Sequence, residues 1–300
     1  MRNIKTALKI SSVMIFISLI LSISIVYYLK LDKPVFLKSY QDVEVMQNDL
    51  DYLNTYYDIE IKYIANSEDK RKVSSIVFKE APELYFYVSE NNPIGLVQFY
   101  DYSNDNISNY GRYGIHTVFL NLKLQSSVYN LDEDIILKEA TIRFDDGLTM
   151  DVDLGKLVLY KHDSSKEKIN DEVLHEQRTE TSTNGMSKSG FYVNKYIQVS
   201  DVYSKSFEYT RDLFDFNINK TGELEDQNLI YNANENLYFT YQVKDIDDPE
   251  KKLYSYNIKP IIYFKDRSGK EYTKRINTIN YSPNFNFSDI YKYLKQKGEI

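Results

Sequence analysis

Residues 140–154 read ATIRFDDGLTMDVDL and carry the pattern of a β-hairpin. Met150, Val152 and Leu154 alternate with polar residues, so their side chains share one face of an extended strand. The Asp-Asp-Gly turn at 145–147 supplies the positive φ values that a tight connection between antiparallel strands needs. This stretch therefore predicts two paired strands, each with one buried and one solvated face.

The same alternation continues on the amino-terminal side of the hairpin. Ile59, Ile61 and Tyr63 alternate with charged residues, which predicts another half-buried strand. A polar turn at 66–70 follows it, and Gly155 interrupts the alternation after the hairpin. The remaining strands predicted in this half lie at 73–78, 84–88, 96–100, 117–125 and 157–160.

The chain becomes polar between residues 162 and 190, which predicts a linker or a long exposed loop. Strand patterns return beyond it, at 192–199, 207–216, 236–244, 254–264 and 271–279. Pro260 has no N–H to donate, so the strand at 254–264 is expected to be an edge strand or to contain a bulge.

The two halves resemble each other around their hairpins. Five positions of the first half, Phe144, Gly147, Met150, Leu154 and Leu157, find counterparts in Phe264, Gly269, Tyr272, Ile276 and Ile279. We therefore predict a mainly β chain with two tandem immunoglobulin-like antiparallel β-sandwich domains, at residues 30–161 and 191–287. The alternative is that any two hairpins with a glycine turn align in this way. A short carboxyl-terminal helix is expected within 288–300, capped by Ser288 and Asp289 and closed by Gly298.

An apolar segment precedes the strands. Residues 10–29, ISSVMIFISLILSISIVYYL, contain no charge, and such a helix spans about 30 Å, the thickness of the bilayer core. Residues 1–9 hold three basic and no acidic residues, so this flank is expected to stay in the cytoplasm and the rest to lie outside. The alternative is a signal peptide cleaved at 22–24. That cut would leave an apolar amino terminus at 25–29, which favours an uncleaved signal-anchor.

Composition narrows the function classes. The absence of cysteine excludes disulfides, iron–sulfur clusters, thiolate zinc sites and cysteine nucleophiles. The whole chain carries −7, and since residues 1–9 hold three positive charges, the rest carries −10. An acidic body is a poor partner for nucleic acid. The 29 tyrosines and 15 phenylalanines, with no tryptophan, are typical of an AT-rich bacterial genome.

No catalytic constellation stands out in the sequence. The three histidines, His116, His162 and His175, lack the partners that a zinc protease helix or a catalytic triad requires. No serine stands in a G-x-S-x-G elbow. Carboxylates are too numerous for any pair to be assigned acid–base work, so we predict neither a catalytic site nor a cofactor.

A candidate recognition surface lies at residues 99–114, FYDYSNDNISNYGRYG. Tyrosine, serine, asparagine and glycine are typical of adaptable binding loops, and the candidate contact residues are Tyr100, Tyr102, Tyr110, Arg112 and Tyr113. The alternative is a long hairpin loop without a ligand.

A weaker candidate is a cation-binding loop at Asp245, Asp247 and Asp248. This loop lacks the spacing and the glycine of a helix–loop–helix calcium site, so a solvated acidic turn is the favoured interpretation.

These features predict a single-pass protein of the bacterial cell membrane. It contacts lipid through residues 10–29, and its body, which is not an enzyme, binds an envelope polymer, a peptide or a membrane protein. Two alternatives are an accessory subunit of a membrane complex and a carboxylate-dependent envelope hydrolase. The hydrolase requires a concave pocket that holds two carboxylates with raised pKa values.

Overall fold

A computed structural model describes residues 2–45, 59–90, 107–123, 133–161, 169–181, 185–219, 222–223, 229–276 and 278–300. Within these ranges the chain is mainly β and forms four sheets behind one amino-terminal helix, α1 (Arg2–Tyr28). The mainly β prediction is confirmed. The strand predicted at 96–100 lies outside the described residues.

The strands of the first half are β1 (Val35–Leu37), β2 (Ser39–Val45), β3 (Ile59–Asn66), β4 (Val73–Phe78), β5 (Tyr85–Ser89), β6 (Ile107–Tyr110), β7 (Tyr113–Lys123), β8 (Ile135–Phe144) and β9 (Thr149–Lys161). One sheet has the order β1-β3-β7-β5, with β6 paired to β7. The other contains β2-β9-β8-β4, and its β8–β9 pair is the hairpin predicted at 140–154. We call these two sheets the first sandwich, because their buried side chains form one hydrophobic core between them.

The strands of the second half are β10 (Leu174–Thr181), β11 (Met186–Val193), β12 (Ile197–Tyr203), β13 (Phe214–Asn219), β14 (Gly222–Glu223), β15 (Leu229–Tyr231), β16 (Glu235–Val243), β17 (Ser255–Ile258), β18 (Ile261–Lys265), β19 (Glu271–Arg275) and β20 (Ile279–Tyr281). One sheet has the order β10-β11-β16-β13-β14 and the other β15-β12-β18-β19. We call these two sheets the second sandwich.

The two sandwiches share one strand order. In the first sandwich the sheet β1-β3-β7-β5 faces the three neighbouring strands β4, β8 and β9, and in the second the sheet β10-β11-β16-β13 faces β12, β18 and β19. When the seven strands of each set are numbered along the chain, both give one sheet in the order 1-2-5-4 and another that contains strands 3, 6 and 7. This is the ABED and CFG arrangement of an immunoglobulin constant-type sandwich. The two hairpins that the sequence pairs with each other, β8–β9 and β18–β19, occupy the same place in this order.

Strands from the second half also complete a sheet of the first sandwich. β17 pairs in parallel with β2, and β20 pairs with β17, so that this sheet has six strands in the order β20-β17-β2-β9-β8-β4. The single strand predicted at 254–264 is therefore wrong. The chain leaves β17 before Pro260 and enters a different sheet as β18, because proline cannot donate the ladder bond that would continue one strand.

Two further stretches, 207–213 and the predicted linker at 162–190, differ from the sequence prediction. Residues 207–210 form a short helix, α2 (Phe207–Thr210), followed by a 3-10 turn at Arg211–Leu213, where a strand was expected at 207–216. Strand β10 and part of β11 lie in the stretch predicted as a linker at 162–190. β10 is an edge strand, and such strands carry exposed polar and charged side chains that weaken their alternation.

Gly155 does not end a strand. It lies inside β9 with φ +93°, and a Cβ there would lie 2.5 Å from the carbonyl oxygen of Ser39 on the neighbouring β2. The glycine therefore permits the close approach of two parallel strands.

Two further helices lie in the second half of the chain. One is α3 (Pro249–Lys252), and the other, α4 (Phe287–Lys297), begins three residues before the predicted start at 290. Asn286 caps α4, because its Oδ1 accepts the N–H of Asp289 at 3.0 Å. Gly298 closes the helix with φ +71°, as predicted.

The apolar part of α1, Lys9–Tyr28, lies outside the body, with none of its residues buried and a mean hydropathy of 2.4. By length and composition this helix could cross a membrane.

Candidate functional site

Three of the five predicted recognition residues lie near the end of α1. Tyr110, Arg112 and Tyr113 surround the turn of the β6–β7 hairpin, whereas Tyr100 and Tyr102 lie outside the described residues. Gly111 occupies the left-handed region at this turn, with φ +69°. The sequence therefore identified a surface turn, but not its position beside the helix.

Tyr113 holds the end of the helix. Its ring is fully buried, and its hydroxyl donates to the backbone oxygen of Leu29 at 2.9 Å. The ring stacks on Phe287, with centroids 5.9 Å apart and an interplanar angle of 14°. Burial raises the pKa of Tyr113. The buried ring and the bonded hydroxyl of Tyr113 are therefore used within the protein.

Asn66 makes a second connection to the same segment. Its side-chain oxygen accepts the N–H of Leu31 at 3.0 Å, and its side-chain nitrogen donates to the Leu31 oxygen at 2.7 Å. Both residues are buried. The chain therefore leaves α1 in a fixed direction, through hydrogen bonds that water cannot easily replace.

Tyr110 and Arg112 are more accessible than Tyr113. The Tyr110 ring lies 6.1 Å from the ring of Phe285, and an Arg112 nitrogen lies 3.4 Å from the Glu68 carboxylate. Phe287 is 42% exposed and stacks at 6.4 Å on Tyr291. These aromatic and basic groups form what we call the helix-base surface: Tyr110, Arg112, Phe285, Phe287 and Tyr291.

A groove of about 460 Å³ opens on the second sandwich, beside the hairpin β18–β19. Tyr263, Lys265, Lys270 and Glu271 line it, together with Asn170. Lys265 pairs with Glu271 at 3.0 Å, and the Lys270 amine lies 5.0 Å from the centre of the Tyr272 ring. Such a surface offers an aromatic face and both signs of charge to an elongated ligand. Sequence analysis missed it because its residues come from segments a hundred positions apart.

A buried polar bridge joins the two sandwiches. Asp42 on β2 accepts hydrogen bonds from the hydroxyls of Ser204 and Ser206, at 2.9 and 3.0 Å, and from the N–H of Lys259 at 2.9 Å. Burial raises the pKa of Asp42, and these donors oppose the shift. No local sequence pattern indicates this bridge, since its partners lie more than 160 residues from Asp42.

The polar bridge bears on the hydrolase alternative. Among the described residues, Asp42 is the one carboxylate whose pKa is clearly raised, and donors from the protein surround it. The carboxylate oxygens of Asp42 are therefore occupied by hydrogen-bond donors of the protein itself.

His116 is buried in the first sandwich. Its ring stacks on Tyr63, with centroids 4.5 Å apart, and Nδ1 lies 3.1 Å from the Tyr63 hydroxyl. That hydroxyl also lies 3.1 Å from a carboxylate oxygen of Glu90. Burial, followed by the Glu90 charge, raises the pKa of Tyr63 and keeps the phenol protonated. Since His116 is 2% exposed, the arrangement favours a structural role.

The acidic loop at 245–250 works as a helix start. Asp248 caps α3, with its Oδ1 accepting the N–H of Glu250 at 2.8 Å. The Glu250 carboxylate accepts the Tyr254 hydroxyl at 2.8 Å and pairs with Lys297 at 2.6 Å. Within the described ranges no three acidic or histidine side chains are grouped to hold a metal ion. For Asp245, Asp247 and Asp248, a solvated turn remains the favoured interpretation.

Comparison with known proteins identifies no family. No family model matches the chain, and no curated protein matches it. Among solved structures, the D00-D0 domain of intimin is 9% identical, with a TM-score of 0.21 over 83% of this chain and 99% of that one. The YadV chaperone is 10% identical, with a TM-score of 0.23 over 81% and 99%. Drosophila N-cadherin EC1-3 is 10% identical, with a TM-score of 0.22 over 84% and 68%. Similarity at this level carries no argument about ligand or partner.

Proposed function

We propose that this chain is a membrane-anchored interaction protein of the bacterial cell envelope. Residues 1–9 stay in the cytoplasm, residues 10–29 span the membrane, and the two immunoglobulin-like sandwiches lie outside the cell. The supporting observation is the apolar helix that projects from a β body, with its side chains exposed from Lys9 to Tyr28. Lipid removes this apolar surface from water, which stabilises the helix by about 25 cal/mol per Å².

The groove beside β18–β19 is the binding site that the geometry supports best. Its Tyr263 ring and its two lysines suit a peptide or an envelope polymer, because a flat aromatic face and fixed charges can orient an extended chain. The experiment is affinity capture from native membranes with the full-length chain tagged at its carboxyl end. We expect Tyr263→Ser combined with Lys270→Glu to lose the captured partner.

The matched control is Tyr203→Ser, which alters another exposed tyrosine of the same sheet. It should keep the partner. If the groove variant and the control capture the same partner equally, the groove is not the binding site. Anchoring is read separately, by extraction of membranes at alkaline pH. A wild-type chain released into the soluble fraction would contradict the anchor.

A second candidate is an accessory subunit of a membrane complex. The serines of α1 favour it: the Ser22 hydroxyl donates to the backbone oxygen of Ser18 at 2.8 Å, so small side chains lie on one helix face with their polar groups satisfied. This candidate predicts co-purification with another membrane protein that is lost when residues 10–29 are replaced by an unrelated apolar helix, whereas groove binding is retained.

A further inference from the structure

The helix-base surface lies where the body meets the end of the apolar helix. Tyr113 contacts both sides of this junction, because its hydroxyl binds the Leu29 oxygen and its ring stacks on Phe287. Phe287 is thus two direct contacts away from the end of α1. The headgroup layer on each side of a bilayer is about 5–8 Å thick. A spanning helix whose end lies in this layer therefore brings Tyr113 to it, and Phe287 lies next to Tyr113.

The chemistry of this surface suits a headgroup boundary. Tyr27 and Tyr28 at the end of α1 are 82% and 57% exposed, and Phe287, which stacks on Tyr113, is 42% exposed. Exposed aromatic rings are unfavourable in water but are enriched at the membrane interface. Lys30 and Lys33 follow α1 in the sequence, Lys292 follows Tyr291, and all three lysines are exposed. Lysines can extend their amines toward lipid phosphates while their stems cover apolar surface.

The joint leaves the surface little freedom to turn away. Asn66 fixes Leu31 through two hydrogen bonds, and Arg112 accepts the N–H of Ser67 through its backbone oxygen at 2.9 Å. The turn after β3 and the β6–β7 turn are therefore tied to each other, and the first of them is tied to the chain that leaves the helix. A flexible linker would let the body rotate, but these contacts hold one face toward the end of the helix.

We propose that the helix-base surface rests on the phospholipid headgroup boundary of the bilayer that α1 spans, so that Phe287 and Tyr110 are lipid contacts. This inference rests on the proposed anchoring. In this proposal the partner of Tyr110 and Arg112 is the membrane surface itself, and not a sugar or a peptide. The body then lies against the membrane through one fixed face.

The chain contains no tryptophan, so each tryptophan substitution creates a single fluorescent reporter. We would reconstitute full-length Phe287→Trp into phosphatidylcholine vesicles with a nitroxide quencher at the headgroup depth. Tyr27→Trp reports on the helix. Tyr87→Trp is the matched control, because Tyr87 is also exposed, at 50%. Tyr87 pairs with Asn121, which lies eight residues beyond Tyr113 on β7. Eight strand residues correspond to about 26 Å, so Tyr87 lies far from the helix-base surface.

We expect the quencher to reduce Phe287→Trp emission several-fold more than Tyr87→Trp emission, with a blue shift in the presence of vesicles. Tyr110→Trp should behave like Phe287→Trp and is read instead if the latter shows a lowered melting temperature. Equal quenching of the Phe287 and Tyr87 reporters, while Tyr27→Trp is strongly quenched, would overturn the inference and leave the anchor intact. Absence of quenching at Tyr27→Trp would overturn the anchor and the inference together. Shielding of Phe287→Trp in native membranes but not in pure lipid would assign the surface to a protein partner and also overturn it.

Discussion

The first sandwich fills its core with residues between Phe36 and Leu159, whereas the core of the second takes in residues from Leu31 to Leu294. Both have the same strand order. The second core nevertheless continues through β17 and α4 to the outer side of β2, where Tyr40 and Tyr256 stack at 5.7 Å. Two sandwiches can therefore share a strand order without having separate cores. The second sandwich depends on the first for part of its core.

The largest expected effect comes from Tyr256→Ala. Tyr256 belongs to a sheet of the first sandwich and is 1% exposed. The centre of its ring lies 6.1 Å from the ring centre of Phe214 in the second sandwich. Removing a buried aromatic side chain lowers the free energy of unfolding by about 3–5 kcal/mol. Hydrogen exchange should show lost protection in both sandwiches. Phe78→Ala, in the closed first core, should lower the free energy similarly but lose protection only there. The same exchange pattern for both variants would contradict the comparison.

Asp42→Ala tests the polar bridge between the sandwiches. It leaves two serine hydroxyls and the N–H of Lys259 without their acceptor, and we expect a loss of about 3 kcal/mol in the free energy of unfolding. Asp42→Asn keeps one acceptor oxygen and should lose less. Urea unfolding measures both. If the alanine variant were as stable as the wild type, the bridge would not join the two halves.

The same residue gives a pH dependence. Burial raises the pKa of Asp42 in the folded state above the ordinary 3.8. Asp42 therefore stabilises the folded state at pH values below the pKa that it has in the unfolded chain. This stabilisation is lost as the pH rises through the higher pKa that Asp42 has in the folded protein. Relative to Asp42→Asn, the wild type should become less stable as pH rises from below 3.8 to neutrality. A difference in free energy that stays constant over this range would show that the carboxyl titrates normally.

Asn66→Ala tests whether the first sandwich alone holds the helix. It leaves the N–H and the oxygen of Leu31 unpaired in a buried site, and the expected loss is about 2 kcal/mol. Exchange of the Leu31 amide should accelerate while the second sandwich keeps its protection. Asn284→Ala, at an exposed asparagine, is the control and should change neither. Lost protection in the second sandwich would mean that the helix joint also depends on it.

The smallest expected effect distinguishes the observed from the predicted start of α4. Asn286→Ala removes the cap and should lower the free energy of unfolding by about 1 kcal/mol, reducing exchange protection in α4. Ser288→Ala alters the residue that the sequence favoured as the cap and should leave stability unchanged. If Ser288→Ala lowered the free energy of unfolding and Asn286→Ala did not, Ser288 would be the cap, as the sequence predicted.

Period-two alternation identified the strands whose two faces meet different environments, as at Ile59, Ile61 and Tyr63. It could not say which strand pairs with which. Whether 254–264 is one strand or two depends on where β2 lies, two hundred residues earlier. Local sequence carries no such information. The edge strand β10 was missed because residues 175–181 are polar on both faces of the strand, which removes the alternation.

In the candidate site, too, local sequence indicated residue types but not which parts of the chain come together. The residue types at 110–113 indicated a surface that meets something outside the chain, since tyrosine, arginine and glycine suit that role. Its neighbours Leu29, Phe285 and Phe287 come from the two ends of the sequence, so no local pattern could place it at the helix. The groove on the second sandwich was inaccessible to sequence reasoning on the same grounds.

Six residues, 29–34, separate α1 from β1. Hydrogen bonds from Tyr113 and Asn66 hold the first and the third of them, Leu29 and Leu31. The connection is therefore short and tied to the first sandwich. If α1 spans a membrane as we propose, a mechanical load on the body would reach the helix without first straightening a slack tether.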